Sequence, residues 1–465
     1  MAEQAPQAHP YIPNASPTVK AEMLAAIGAE SIEDLLVTIP DKLRLGRPLD
    51  LPAPLTSEAA LDRHMTRLLG RNRTARETVS FLGSGCYPHY VPALCDEVNT
   101  RAEFLTAYAG ETYEDHGKWQ ALFEYTSLMA ELLEMDVVNV PTYDGFQAIA
   151  TSLRMAGRIT GRSAVLVPDT LDAAKRAKID NYLQGALEVR TMAHDPVTGA
   201  LDPEAVRAQL ADDVAAVLIE TPNYRGVVET GAPAIAEHAH AAGAVVVCAT
   251  DPISLGEFVP PARWGADIVC GDIQSLGLGM HFGGANGGFI ASHDDERFVY
   301  EFPSRLFGLG PTRVEGEIGF VDIAYERTSL AMREEGVEWV GTAAALWGIT
   351  AAVYLAQLGP QGLRELGATI AANTGYAIEA LRAVPGVEIP HAASANWREF
   401  VVRYPGRDAA GVNAALFERG IFGGAPATEV FGSHGSPDEA VYCITELHTR
   451  EDIDELVEAL KGILA

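Results

Sequence analysis

Four short apolar runs recur through the middle of the chain: SAVLVP (163–168), VAAVLIE (214–220), AVVVCAT (244–250) and ADIVC (266–270). Each is too short for a buried helix and too continuously apolar for a strand with one face in water, so each reads as a strand covered on both sides. Stretches of helical length separate them, at 170–183, 203–211 and 231–242. Strands alternating with helices in this way predict an α/β fold with a mainly parallel sheet and helices on both faces.

The flanks differ. Residues 1–75 read as an N-terminal helical segment, with helical spacing over Lys20–Ile27 and Ser31–Ile39, and Ser31 with Asp34 resembles a capping box. After the Pro-rich connector PLDLPAPL (48–55), Ser57 is placed to cap a helix running to Leu69. Residues 76–310 form the expected large α/β domain, and 311–465 a smaller C-terminal one. The latter holds a pair of helices, 341–358 and 360–383, parted at Gly359-Pro360, then REFVVRY (398–404), a helix near 408–419, AVYCIT (440–445) and a helix from Thr449. A cleft between two such domains is a usual place for a ligand.

Composition narrows the function classes. With 465 residues, 48% of them hydrophobic, the chain can bury a sizeable core across two or three domains. No run of ~18 apolar residues is free of charge and turn signals, so no membrane span is expected. The N-terminus, MAEQAPQAHPYIPNASP, lacks a basic start and an apolar core, which argues against a secretory signal. The five cysteines are scattered, odd in number and without CxxC spacing, as in a reduced cytoplasmic protein, and no metal is expected. A net charge of −29 repels phosphate backbones and anionic lipid, which excludes nucleic-acid and membrane partners.

The most specific text is FLGSGCYPHYVPA (81–93), EFLTAYAGETYEDHG (103–117), the run ending VNVPTYDG (138–145), ETPNYRGVVE (220–229), DPISLGEFVPPARWGADIV (251–269), GDIQSLGLGMHFGGANGGFIA (271–291) and CITELHTREDIDELVEAL (443–460). In order and nearly end to end, these resemble a divergent member of subunit 1 of the two-subunit glycine dehydrogenase (decarboxylating), the P-protein of the glycine cleavage system. The resemblance implies the type I fold of pyridoxal-phosphate (PLP) dependent transferases. In that fold a lysine amine holds the cofactor as a Schiff base, and an aspartate pairs with the pyridine nitrogen. Asp251, directly after AVVVCAT, matches the aspartate, so the lysine belongs near 271–285. None is there: the six lysines are Lys20, Lys42, Lys118, Lys175, Lys178 and Lys461, and Ser275 falls about where the amine would stand.

The resemblance therefore implies a chain that holds no PLP covalently and has no catalytic residue of its own. Its partner would be a PLP-bearing second subunit. Together they would decarboxylate glycine, a small amino acid, and pass the aminomethyl group to a lipoyl carrier protein. The cofactor-free subunit either completes its partner's pocket or acts as scaffold. Tyr108, Glu111, Glu114, His116, Arg333 and Thr342 are the candidates for an interface pocket. Tyr143, Asp144, Gly145, Asp251, Gln274 and His281, with Ser275, are those for a degenerate cofactor site. For Tyr143-Asp144-Gly145 the choice lies between a backbone cradle for phosphate and an ordinary strand–turn–helix corner.

Two segments depart from the family pattern. AGETYEDHG (109–117) replaces a proline-tyrosine-glutamine-proline run. In 332–346, Glu335 stands where the family has a lysine, and Trp339 brings in a large ring. These leave open a paralogous subunit serving a PLP enzyme for another small amino acid, or a non-catalytic binding protein that reuses the fold.

Overall fold

The computed structural model describes residues 11–75, 77–104, 116–284, 286–341 and 343–465, and the chain divides into two compact units, Met1–Asn72 and Arg73–Ala465. In the first, helices Pro17–Ala26 and Glu58–Leu69 are joined by short 3-10 turns, and none of its described residues is buried. The helix expected over Ser31–Ile39 is only a 3-10 segment, Ile32–Leu36. The Asp34 carboxylate accepts from the backbone N–H of both Glu30 (2.8 Å) and Ser31 (2.9 Å), which fixes a tight turn. No buried apolar face rewards a longer helix there. Ser57 does sit at the N-cap of Glu58–Leu69, but its hydroxyl caps no backbone N–H among the described residues.

In the second unit the four apolar runs become adjacent strands of a seven-stranded sheet among the described residues. In chain order its strands are β1 (Val137–Val138), β2 (Ala164–Pro168), β3 (Glu188–Met192), β4 (Val214–Thr221), β5 (Val245–Thr250), β6 (Ile268–Asp272) and β7 (Gly288–Ser292). They lie in the order β1-β7-β6-β5-β4-β2-β3. The pairings from β3 through to β6 are parallel, while β7 runs antiparallel to β6 and β1. The expected mainly parallel sheet is thus what forms.

Alternation along β5 sorts side chains to the two faces: Val246 and Cys248 enter one core, Val245, Val247 and Ala249 the other. Helix α1 (Gly145–Thr160) and helix α2 (Ala173–Leu183) cover the second face. The long helix Ala345–Arg382 packs on the first, with Ala351, Leu355 and Ile370 in its core. Each Val, Leu or Ile so buried contributes about 1.5–3 kcal/mol. The long helix breaks at Gly359 (φ 59°, ψ −179°) before Pro360, where the two dihedral demands of those residues place it.

A three-stranded antiparallel sheet follows: β8 (Glu399–Arg403), β9 (Ala425–Pro426) and β10 (Glu439–Cys443), with β10 central. Helix Arg450–Leu464 closes it, started by a capping box in which Thr449 N–H donates to Asp452 Oδ2 (2.8 Å) and Asp452 N–H donates to Thr449 Oγ1 (3.2 Å). The two sheets touch at Gly226, in a turn after β4 with φ +78°. A Cβ there would stand 1.6 Å from the Glu399 carbonyl oxygen, and the Gly226 carbonyl accepts from Trp397 N–H at 3.0 Å. That contact fixes Trp397, Arg398 and Glu399 next to the C-terminal edge of the large sheet.

Candidate functional site

A cavity of about 380 Å³ opens where β4, β5 and β6 end, and is lined also by residues 83–87 and 397–399. The carboxyl ends of parallel strands are where α/β sheets present ligand sites, because the connecting loops diverge there.

Asp251 leaves β5 and points into this space. Its Oδ1 accepts from Ile253 N–H (2.9 Å) and Ser275 Oγ (3.2 Å), and its Oδ2 forms an ion pair with Arg398. The Arg398 guanidinium lies 3.4 Å over the Tyr87 ring and is almost fully buried. Ser275, 4% exposed, comes from the loop after β6. A covalently held PLP needs an amine at that loop and a carboxylate free to face a ring nitrogen. The loop offers a hydroxyl, and the carboxylate is already matched to a fixed cation. These residues do not fit that group.

The cavity does contain amines, but elsewhere. Asp172 caps α2 by accepting from Lys175 N–H (2.9 Å), which sets the helix so that Lys175 and Lys178 face the cavity. Lys175 Nζ donates to Glu220 Oε1 at 2.9 Å and lies 4.5 Å from the Tyr224 ring centre. Lys178 Nζ stands 4.2 Å over Phe146. Both rings hold a cation on their negative faces.

Burial governs the acids around them. Asp272 accepts from Gln274 N–H (2.7 Å) and Gly145 N–H (3.3 Å), yet burial pushes its pKa up to about 7. Burial likewise raises Glu399, which accepts from Ser84 N–H (2.6 Å) and Tyr87 OH (2.9 Å), and Glu220, despite Lys175. Three buried atoms of lining residues have no hydrogen-bond partner among the described residues: Glu220 Oε2, Asn286 Oδ1 and Ser84 Oγ.

Of the residues expected from sequence, Asp144, Gly145, Asp251, Gln274 and Ser275 come together on this cavity. Asp144 caps α1 by accepting from Gln147 N–H (2.8 Å), and a Cβ on Gly145 would press on Asp272 at 3.0 Å. Gln274 spends its amide on the chain opposite, accepting from Tyr87 N–H and donating to Tyr87 O, each at 3.0 Å. Tyr143 and His281 stand outside the lining; His281 is exposed and stacks on Trp347, ring centres 5.0 Å apart. Arg333 is exposed in the turn Arg333–Glu335, also outside it. Tyr108, Glu111, Glu114 and Thr342, with the side chain of His116, lie outside the described residues. Sequence reasoning did not single out Lys175, Lys178, Glu220, Asp272, Arg398 or Glu399. The available signals were the i, i+3 spacing of the two lysines and the acids at the ends of apolar runs.

A family model described as "Glycine cleavage system P-protein" matches residues 9–460. The chain is 38% identical over 466 residues to a protein of Aeropyrum pernix named "Probable glycine dehydrogenase (decarboxylating) subunit 1", covering 98% of this chain and 99% of that one. It is 36% identical over 453 residues to a protein of the same name from Carboxydothermus hydrogenoformans, covering 97% and 99%. Among solved structures it resembles glycine decarboxylase (P-protein) of the glycine cleavage system in inhibitor-bound form, with TM-score 0.83 and 36% identity over 99% of this chain and 100% of that one. Sphingosine-1-phosphate lyase of Burkholderia pseudomallei shares the fold at 16% identity and TM-score 0.62, over 90% and 94% of the two chains.

Proposed function

From the premise that the chain belongs to the glycine cleavage system P-protein family, we propose that it is the cofactor-free subunit of a two-subunit glycine decarboxylase. The observation that carries this is the group Asp251–Arg398–Ser275: a carboxylate neutralised by a buried guanidinium, beside a hydroxyl where a cofactor-binding chain needs an amine. Loss of CO2 from glycine requires an electron sink. This reading places that sink, a PLP, wholly in the second subunit, with the aminomethyl product passed to a lipoyl carrier protein.

The chain's own part is then to present a rigid wall to its partner. The close contact of Gly226 with Trp397 and Glu399 ties the two sheets together, and the segment 105–116, with Arg333 and Thr342, is assigned to the wall. The division into residues 1–75, 76–310 and 311–465 belongs to the same reading. So does a cytoplasmic location, which five unpaired cysteines support. No described helix is long and apolar enough to cross a membrane.

Co-expression with the second subunit tests this. The isolated chain, incubated with PLP and desalted, should retain no visible absorbance from covalently bound cofactor. The pair should be coloured and should exchange labelled CO2 with the carboxyl group of glycine. Colour fixed to the isolated chain would overturn the assignment, and a coloured pair inert toward glycine would overturn the substrate.

A further inference from the structure

Met1–Asn72 is a folded segment without an interior. Among the described residues it holds 18 large hydrophobic side chains that are exposed, by 36 to 89%, while Arg73–Ala465, more than five times as long, holds 19. Single exposed apolar residues are ordinary on a protein surface, but a crowd of them marks a surface that something covers. They are also ordered. Val19, Met23 and Ile27 recur once per turn along helix Pro17–Ala26 and its cap, and Leu61, Met65 and Leu68 do so along helix Glu58–Leu69, so each helix has one apolar face. Between the helices, residues 44–56 form neither helix nor strand, and Leu45, Leu49, Leu51 and Leu55 are all at least 46% exposed.

None of these side chains belongs to any hydrophobic cluster of the chain. Ordering a segment costs conformational entropy that burial has to offset, and this one has no burial of its own. The area is of the right size for a partner. Fully burying one such side chain removes roughly 60–120 Å² from water. With about half of each exposed, the 18 together offer roughly 500–1,100 Å². A stable, specific interface takes ~800 Å² from each partner.

Charge distinguishes the possible occupants. Met1–Asn72 carries 7 Lys and Arg against 9 Asp and Glu, net −2, whereas Arg73–Ala465 carries 27 against 54, net −27. Covering the apolar faces with a second copy of this chain would bring together two bodies of −27, which repel. A different, less acidic chain meets no such barrier.

We propose that Met1–Asn72 is a clasp, whose two apolar helix faces and the stretch 44–56 lie against an apolar surface of the PLP-bearing second subunit. This rests on the decarboxylase reading and adds to it where the two chains are held together.

The full chain co-expressed with the second subunit tests it. Backbone hydrogen exchange over residues 17–69 should slow at least ~10-fold in the pair relative to the isolated chain. Leu49→Asp with Leu51→Asp, and separately Met65→Glu, should each weaken the pair at least ~10-fold in analytical ultracentrifugation. Val197→Asp, a like change at an exposed position of the second unit, should leave the affinity as it is. All four side chains are exposed, so the urea midpoint of each isolated variant should match that of the parent. If a variant loses folding, exchange in the parent pair decides alone. Exchange over 17–69 equally fast in chain and pair, or affinity unchanged in both first-unit variants, would overturn the proposal. CO2 exchange by that same pair would then still uphold the decarboxylase reading, so the two failures are distinguishable. An isolated chain that dimerises, with the same variants dissolving the dimer, would overturn it in favour of a second copy. Failure of any pair to form would overturn both readings.

Discussion

Asp251, Ser275 and Arg398 come from three distant parts of the chain and meet within hydrogen-bond reach. Only the first two were legible in the sequence, as a motif aspartate and a serine where an amine was due. Arg398 was not, because it opens REFVVRY, which reads as a strand and gives no sign that its first side chain reaches Asp251. The same scale yields a pH prediction. Glu229 accepts from Leu201 N–H (2.9 Å) and Asn223 Nδ2 (2.8 Å), but burial pushes its pKa up to about 7. An ordinary glutamate titrates near ~4.3. Between those values the folded chain keeps a proton that the unfolded chain has released, so stability from this group falls as pH rises from about 4 to about 7. The shift corresponds to a contribution on the order of 3 kcal/mol. The melting temperature of the wild type should therefore decline, relative to Glu229→Gln, across that range. Parallel melting curves for the two proteins would contradict this.

At the level of elements, the sheet and its covering helices follow from hydrophobic pattern alone, and so does the helix break at Gly359-Pro360, which needs only two local dihedral preferences. Ile32–Leu36 shows the limit: its spacing is helical, but with no buried face a side-chain-to-backbone bond from Asp34 decides the geometry. The docking of the two sheets is decided at Gly226, where backbone meets backbone. Gly226→Ala forces a Cβ into the Glu399 carbonyl at a positive φ. It should destabilise the chain by about 3 kcal/mol or more, visible as a lowered midpoint in urea. Because Arg398 and Glu399 shift with that contact, the cavity should deform as well. An unchanged midpoint would show that the sheets can part there without cost.

Across the whole molecule, burial is divided unevenly. Every hydrophobic core cluster draws on Arg73–Ala465, while no described residue of the first unit is fully buried, and Val37, Leu43 and Leu51 are exposed by 70% or more. Segments without burial open at little free-energy cost. Limited trypsin digestion of the isolated chain should cut first at Lys20, Lys42 or Arg44 and leave a resistant body beginning near Arg73. First cuts inside the large sheet would refute this.

The chain's own letters determined the layered α/β architecture, the family, and the absence of an amine where the fold would use one. Each is a matter of local periodicity or residue identity at a motif position. What the cavity holds instead was decided only in three dimensions. Charge pairing, burial and unmet hydrogen bonds depend on which distant segments become neighbours, and Lys175, Glu220, Asp272 and Arg398 are neighbours only through the packed sheet.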